Sequence, residues 1–316
     1  MDFGFTPEQD AFREKIVAFA KNELNEGDLR QRDAECELSR DLWRKIAGFG
    51  LLGLPFPKQY GGSEEDIITT VLAMEALGYG CRDNGLLFSM NGQMWTVQMP
   101  ISTFGTDEQK NKYLPGLIAG DLIGAHGITE PESGSDIMSL DTTARRDGDH
   151  YVLNGSKAFI SGGGMSDVYV VMVRTGGDGP KGITCLVVEK DTPGLSFGAQ
   201  EVKLGWKSQP TAQVNFSDCR VPVANRIGEE GQGFSIAMAG LDGGRLNIGA
   251  CSLGAARACL ERSIEYLKER RQFGRALAEF QALQFRLADM ATELEAARLL
   301  QLIDGLARQV GVEGRE

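Results

Sequence analysis

The stretch "DHYVLNGSKAFISGGG" (149–164) is where the period of the chain changes. Two strand-like runs flank Asn154-Gly155, a dipeptide that tolerates positive φ at both positions and so favours a two-residue hairpin turn. Read locally, the stretch is strand, turn, strand. "VYVVMVRT" (168–175), "GITCLVVEK" (182–190), "LSFGAQEVK" (195–203) and "AQVNFSDCRVP" (212–222) follow as short strands parted by Gly, Pro and Asp. No helix of useful length separates them, which excludes a Rossmann fold. An antiparallel sheet in a barrel or sandwich remains.

On either side the period is helical. In residues 1–120, Thr6-Pro7-Glu8-Gln9 combines an N-cap, a proline at the first helical position and a capping-box Gln. Phe12, Ile16, Phe19 and Leu24 then recur at helical spacing. Ser63 with Asp66 is expected to open a helix whose apolar side is Ile67, Val71, Met74 and Leu77, and Thr106-Asp107-Glu108-Gln109 repeats the capping box. "FPKQYGG" (56–62) and "LGYGCRDNG" (77–85) are turn-rich joints. In residues 230–316 one long helix should run from about Phe234 to Arg271, broken by "QFGRALAEFQ" (272–281). A second carries Leu283, Leu287, Met290, Leu294 and Leu299. The first contains Gly240, Gly243, Gly244, Gly249 and Gly254, each costing ~1 kcal/mol relative to Ala. Either a backbone or flat ligand approaches closely there, or neighbouring helices pack tightly. The order is a helical block (1–120), a β block (121–229) and a helical block (230–316), an α+β chain.

Composition narrows the function. The 316 residues are 42% hydrophobic and 24% charged, ordinary for a globular protein. No apolar run approaches the ~18 residues that span a bilayer, and "MDFGFTPEQD" has neither a secretory pattern nor a basic amphipathic one. A net charge of −11 opposes nucleic acid as the main partner, since phosphate binding needs clustered Lys and Arg. The six cysteines show no CxxC pair or metal-ligand spacing and read as buried, reduced thiols of an intracellular protein. With His126 and His150 the only histidines, a histidine metal site or a Ser-His-Asp triad is not expected.

Several glycine-rich motifs fail on inspection. "GGDGPKG" (176–182) lacks the Ser or Thr that follows the lysine of a phosphate loop and reads as a hairpin turn. "GQGFSI" (231–236) lacks the third glycine of a dinucleotide fingerprint. "SGGG" (161–164) has no nucleophile elbow to serve. "TEPESGSD" (129–136) is different: Pro131 blocks a helix, and Ser133, Ser135 and Asp136 can bond their own backbone, which makes a stiff polar turn. Such a turn either satisfies only itself or presents donors to a ligand.

"GITEPESGSD" (127–136), "NGSKAFISGGG" (154–164) and "ERRQFG" (269–274), in this order and spacing, resemble the acyl-CoA dehydrogenase family. The similarity covers essentially the whole chain. "VVEKDTPGLSFG" (187–198), "GWKSQPTAQV" (205–214), "VPVANRIGEEGQGF" (221–234) and "GLDGGRLNIGACSLGAA" (240–256) resemble its isobutyryl-CoA dehydrogenase branch, whereas "FSMNGQMWTVQMP" (88–100) is more similar to other branches. The resemblance implies an N-terminal helical domain, a small antiparallel β-barrel domain and a C-terminal helical domain, incomplete relative to the family, with FAD between the last two.

It also implies roles. His126, Gly127, Ile128 and Thr129 would meet the isoalloxazine edge, and Gly134 and Ser135 the pyrophosphate and the CoA side. Phe159, Ile160 and Ser161 would lie against the ring, Ser161 near N5; Phe159 and Ser161, two apart on a strand, are expected on one side. Arg270, Gln272, Phe273, Phe280 and Gln281 would reach FAD across a subunit interface, where a guanidinium fork suits a pyrophosphate. Asp242, Gly243, Gly244, Arg245 and Ser252 would contact the CoA thioester; without a ligand, Asp242 and Arg245 are helix polarity at a bend.

The implied chemistry removes a proton from the α carbon and passes the β hydride to flavin, giving a 2-enoyl thioester. The substrate the resemblance implies is a short or branched acyl-CoA. No base is assigned, because the family's usual Glu would lie beyond Glu316 and Gly244 occupies the alternative position. The third block would then expose an apolar face unless a partner covers it. A degenerate or truncated relative that binds flavin or acyl-CoA, or serves as a partner subunit, is the competing reading. The family resemblance further implies an electron-transferring flavoprotein as electron acceptor, a homodimer or homotetramer, and a cytoplasmic or mitochondrial-matrix location.

Overall fold

The computed structural model describes residues 4–309. The chain divides into two compact units. One gathers residues up to Gly27, Glu65–Asn84 and Leu246 onward; the other gathers Asp28–Glu64 and Gly85–Arg245.

The first unit is helical. α1 (Pro7–Glu23) starts at the capping box read from the sequence: the Thr6 hydroxyl accepts from Gln9 N, and the Gln9 side chain accepts from Thr6 N. α4 (Ile67–Gly80) is capped by Asp66, whose carboxylate accepts from Thr69 N at 2.6 Å; Ser63 lies outside the helix, which corrects the expected start. α4 is buried almost all round. A single apolar side therefore describes it poorly, because helices pack on several of its faces. Its one carboxylate, Glu75, is 7% exposed and accepts from Arg298 Nε at 2.9 Å.

α8 (Gly233–Glu269) matches the long helix read from the glycine-bearing stretch and belongs to the first unit from Leu246 onward. A β carbon at Gly254 would sit 2.0 Å from the Glu75 carbonyl oxygen, and one at Gly78 would sit 2.0 Å from that of Cys251. The two backbones therefore approach through reciprocal glycines. α9 (Gln281–Gln309) follows and leaves Phe285, Met290, Leu300, Ile303 and Leu306 at the surface, the apolar face expected of the third block.

The second unit contains α2 (Leu29–Glu35), α3 (Arg40–Gly48), α5 (Asn84–Gln93, from Gly85 onward), α6 (Met99–Phe104), α7 (Asp107–Ile118) and the first turns of α8. The second capping box, at Thr106 and Gln109, opens α7 as expected. Around them lie eight strands: β1 (Gly124–Gly127), β2 (Thr143–Asp147), β3 (His150–Ser161), β4 (Val168–Arg174), β5 (Ile183–Glu189), β6 (Leu195–Gln200), β7 (Thr211–Pro222) and β8 (Arg226–Ile227). They pair in the order β6-β7-β3-β2-β4-β5-β8, with β1 added on β4. The ladder is antiparallel apart from β1–β4 and one residue pair of β2–β4, which are parallel. The antiparallel expectation therefore needs that correction. Tyr151, Leu153, Tyr169, Val171, Leu186, Val188, Val214 and Phe216 form the shared core.

Asn154-Gly155 does not turn the chain. β3 continues through it with a register shift against β7, and the hairpin between β2 and β3 is made at Gly148, φ +62°. The Asn154 amide instead pairs across the ladder, accepting from Asp218 N at 2.9 Å and donating to the Asp218 carboxylate at 3.1 Å. Gly155, φ +141°, is needed because a β carbon there would lie 2.7 Å from Thr142 Cα. "GGDGPKG" does join antiparallel β4 to β5, as read. Of the cysteines, Cys81, Cys185, Cys219 and Cys251 are buried, but Cys36 is half-exposed and Cys259 exposed; all are free thiols. No helix among the described residues is long and apolar enough to cross a membrane.

The glycines of α8 give opposite expectations at two positions. A β carbon at Gly244 meets nothing closer than Trp95 Cβ at 3.5 Å, so Gly244→Ala should stabilise by up to ~1 kcal/mol through helix propensity. Gly254→Ala forces α4 and α8 apart and should cost ~1–3 kcal/mol despite the same gain. Urea unfolding of the two variants would show midpoints moving in opposite directions; a common direction would mean that close backbone approach does not govern this helix.

Candidate flavin and thioester site

In the second unit, "GITEPESGSD" is held by a buried ion pair. Lys157 on β3 is fully buried and donates to the Glu130 carboxylate at 2.6 Å and to the Ile128 carbonyl at 3.3 Å. Glu130, 6% exposed, also accepts from Asp141 N at 2.6 Å and Thr142 N at 2.9 Å. One carboxylate thus gathers both ends of the segment joining β1 to β2. Burial pushes Glu130 upward, but the Lys157 charge and these hydrogen bonds outweigh it and hold the carboxyl below its usual range. Burial pulls Lys157 down to about 8, against the opposing pull of Glu130. Neither residue was singled out from the sequence, since they lie 27 positions apart and nothing local pairs them.

Inside the segment, Glu130 and Ser133 form a two-residue bridge, and the Ser133 hydroxyl donates to the Asp136 carbonyl at 2.7 Å. Ser133 thus satisfies its own turn, and Ser139 bonds the same carbonyl at 2.8 Å. Ser135 does not. It is exposed beside Gly134, and its hydroxyl has no partner among the described residues. Thr129 accepts from Ala158 N through its carbonyl at 2.8 Å, which fixes it against β3. Its N–H and hydroxyl make no hydrogen bond to any described residue.

β3 bulges where Thr129 meets it. Lys157 pairs with Val214 and Ile160 with Ala212, so Ala158 and Phe159 together oppose one residue of β7. Phe159 takes φ +56°, a left-handed conformation unusual for an aromatic residue, and is 65% exposed. The bulge breaks the two-residue period, so counting positions no longer places Phe159 and Ser161 on one side; the expectation rested on an unbroken strand. Ile160 turns into the core, and Ser161 is half-exposed with an unpartnered hydroxyl.

His126 on β1 has both ring nitrogens covered, with no partner at good hydrogen-bond geometry among the described residues; a weak approach to the Thr96 backbone opposes burial only in part. Burial, reinforced by the Lys157 charge, drives its pKa down to about 4, so the ring is neutral near pH 7. A β carbon at Gly127 would make only ordinary contacts, with Lys157 and Val171. Asp242 and Arg245 pair with one another at 2.8 Å on α8. Gly240 and Gly243 are explained by Trp95, a residue the sequence reading passed over. A β carbon at Gly243 would lie 2.2 Å from its indole, and one at Gly240 would lie 2.6 Å from its carbonyl oxygen. For these glycines and Gly254, tight packing by the protein itself is the answer.

The remaining candidates lie in the first unit. Ser252 is exposed on α8 and back-bonds to the Ile248 carbonyl at 2.9 Å. β9 (Arg271–Gln272) and β10 (Arg275–Ala276) form a hairpin around Phe273, φ +52°, and Gly274, φ +78°, the two positive values of a tight primed turn. Phe273 is exposed, with its ring 6.3 Å from Phe280 in an edge-on arrangement, and Arg275 lies 4.0 Å above Phe280. Arg270, Gln272 and Gln281 are exposed around this hairpin, and Arg270 forms no ion pair among the described residues. The candidates therefore fall into two preformed groups, hydroxyl-rich around the bulge and Arg-rich at the hairpin.

Sequence models of the acyl-CoA dehydrogenase N-terminal, middle and C-terminal domains match residues 6–121, 125–219 and 231–303. The chain belongs to the acyl-CoA dehydrogenase family. It is 49% identical over 298 residues to the mitochondrial isobutyryl-CoA dehydrogenase of Dictyostelium discoideum, covering 94% of this chain and 71% of that one. The butyryl-CoA dehydrogenase of Megasphaera elsdenii superposes with a TM-score of 0.93 at 38% identity, over 99% of this chain and 82% of that one. An FAD complex of PigA superposes at 0.94 and 35% identity, with the same two coverages.

The electrostatics make acid a test of this region. His126 stays neutral in the folded protein below the usual histidine pKa of 6.5, whereas the unfolded chain takes up a proton there. Stability is therefore lost as pH falls from about 6.5 towards 4, by up to ~3 kcal/mol. Glu130, with its lowered pKa, adds a further loss as it protonates at the acid end. In His126→Gln the fall between pH 6.5 and 4.5 should flatten in urea-midpoint measurements. An unchanged slope would rule out a buried neutral His126.

Proposed function

We infer that the protein is an FAD-dependent acyl-CoA dehydrogenase acting on a short or branched acyl-CoA, isobutyryl-CoA above all, to give the 2-enoyl-CoA. The observation that carries this reading is the β3 bulge. There an exposed aromatic ring in a left-handed conformation stands beside Thr129, whose N–H and hydroxyl meet no acceptor among the described residues, and Ser161, whose hydroxyl likewise meets none. Backbone strain of this kind costs ~1–3 kcal/mol and persists where a ligand site requires it. The donor set fits a flat heterocycle rimmed by acceptors.

In this reading Thr129 and Ser161 donate to the ring edge, Phe159 covers part of a ring face and Ser135 holds phosphate oxygens, while Arg270 reaches the phosphates of a flavin bound by a second copy of the chain. Asp242, half-buried, and Arg245, exposed, both on α8, orient the CoA moiety, with Ser252 a further contact. FAD, when bound, supplies the acceptor for the hydride leaving the β carbon. The α proton needs a carboxylate base; Gly244, without a side chain, supplies none, and no residue is assigned that role. Electrons would pass to an electron-transferring flavoprotein, and the exposed apolar side chains of α9 suit a homo-oligomer. The mitochondrial relative favours the mitochondrial matrix or an equivalent cytoplasm.

The test is a spectrum. Purified protein, incubated with FAD and desalted, should stay yellow with about one flavin per chain, and anaerobic isobutyryl-CoA should bleach it faster than a long straight-chain thioester. Phe159→Gly should relax the backbone yet weaken FAD retention severalfold. A wild-type protein that neither keeps nor takes up FAD would sink this reading. One that keeps FAD but is bleached by no acyl-CoA would favour a flavin-binding relative without dehydrogenase activity.

A further inference from the structure

The buried ammonium of Lys157 reaches further than the carboxylate it pairs with. Its Nζ also donates to the Ile128 carbonyl at 3.3 Å, and the N–H on the other end of that same peptide unit belongs to Thr129. This N–H has no acceptor among the described residues, while the Thr129 carbonyl is fixed by Ala158 N at 2.8 Å. A cation bonded to the oxygen of an amide draws electron density through the resonant C–N bond and makes its N–H a stronger donor. Low surrounding dielectric keeps that polarisation from being screened. Lys157 is fully buried, so water does not compete for it.

We propose that Lys157, without touching the ligand, is a positioning and polarising residue that strengthens the Thr129 N–H presented to the bound flavin and so raises the flavin's reduction potential. The inference rests on the flavin reading above. Reduction adds two electrons to the isoalloxazine ring and increases negative charge on its ring nitrogens and carbonyl oxygens. Any of these acceptors facing Thr129 is held more strongly in the reduced form, and a stronger donor tips the balance further. Glu130 keeps the ammonium in place and tempers its field. Glu130 and Arg174 are the charged groups facing Lys157, and His126 is the neutral titratable one.

The midpoint potential of the FAD-loaded protein, measured against a reference dye, tests this directly. Lys157→Met should lower the ratio of reduced to oxidised flavin at fixed potential about tenfold, a downward shift of about 30 mV for a two-electron couple. Lys157→Arg, which keeps a cation, should retain most of the wild-type value. Because Lys157→Met strands a buried carboxylate and can fail to fold, Glu130→Gln/Lys157→Met is the companion; it removes both charges and should also shift the potential downward, by less than Lys157→Met because the opposing field of Glu130 goes with it. Ser133→Ala loosens the same segment without altering Lys157, and should weaken FAD binding while leaving the potential unchanged. In the unaltered holoprotein, raising pH through about 8, where Lys157 releases its proton, should lower the potential beyond the drop from the flavin's own proton uptake.

Stoichiometric FAD with a wild-type potential in the double variant would overturn the assignment. So would a shift in Ser133→Ala equal to that in Lys157→Met, which would make the effect one of loop order. Failure of the wild-type protein to take up FAD would overturn the flavin reading and this inference together. FAD bound with an unmoved potential overturns this inference alone.

Discussion

The Glu130–Lys157 pair is the constraint from which the arrangement of hydroxyls around the β3 bulge follows. Removing two charges from water costs several kcal/mol per ion, recovered only if every remaining lone pair and proton finds a partner. Here the carboxylate takes two backbone N–H groups beside the ammonium, and the ammonium takes a backbone carbonyl as well. Two apolar side chains could fill the same volume at similar stability. They could not tie Ile128, Asp141 and Thr142 to one point on β3. The pair therefore specifies a geometry, with Thr129 seated against the bulge and Ser135 left pointing outward from a segment stapled at both ends.

What the sequence revealed is what short range decides. Thr6–Gln9 and Thr106–Gln109 read correctly because a capping box is closed within three residues, whatever the rest of the chain does. The β4 and β5 runs read correctly because strands buried on both faces are apolar at nearly every position. Asn154-Gly155 read wrongly because its hairpin preference is a free energy of about the size of one hydrogen bond. Cross-strand bonding to Asp218 and the crowding of Thr142 against Gly155 outweigh it. The Lys157–Glu130 partnership could not be read at all. A lysine inside "SKAFIS" is a faint signal that something buries a charge, but which carboxylate answers it is a matter of tertiary structure.

The α8 glycines show how one compositional feature can carry separate constraints. Gly254 and Gly78 let two helix backbones touch, Gly243 makes room for the Trp95 indole, and Gly244 has no close neighbour beyond ordinary contact. Spacing along the helix looks alike in all these cases. The distinction lies in what faces each position, which is why both packing and a flat ligand fitted the sequence and only coordinates separated them. Trp95 escaped notice for the reciprocal reason: a tryptophan in an apolar helical stretch is ordinary until a glycine is found beneath it.

The charge at the hairpin runs against that of the chain as a whole. The chain carries a net −11, yet Arg270, Arg271 and Arg275 lie within six residues and form no ion pair among the described residues. Net charge acts weakly at this distance, because at physiological salt the potential of exposed charges decays over about 8 Å. What an approaching group meets is the local cluster, not the sum. Here that cluster is a locally positive patch in an acidic chain, beside the exposed Phe273 ring on a turn that places Phe273 and Gly274 both at positive φ.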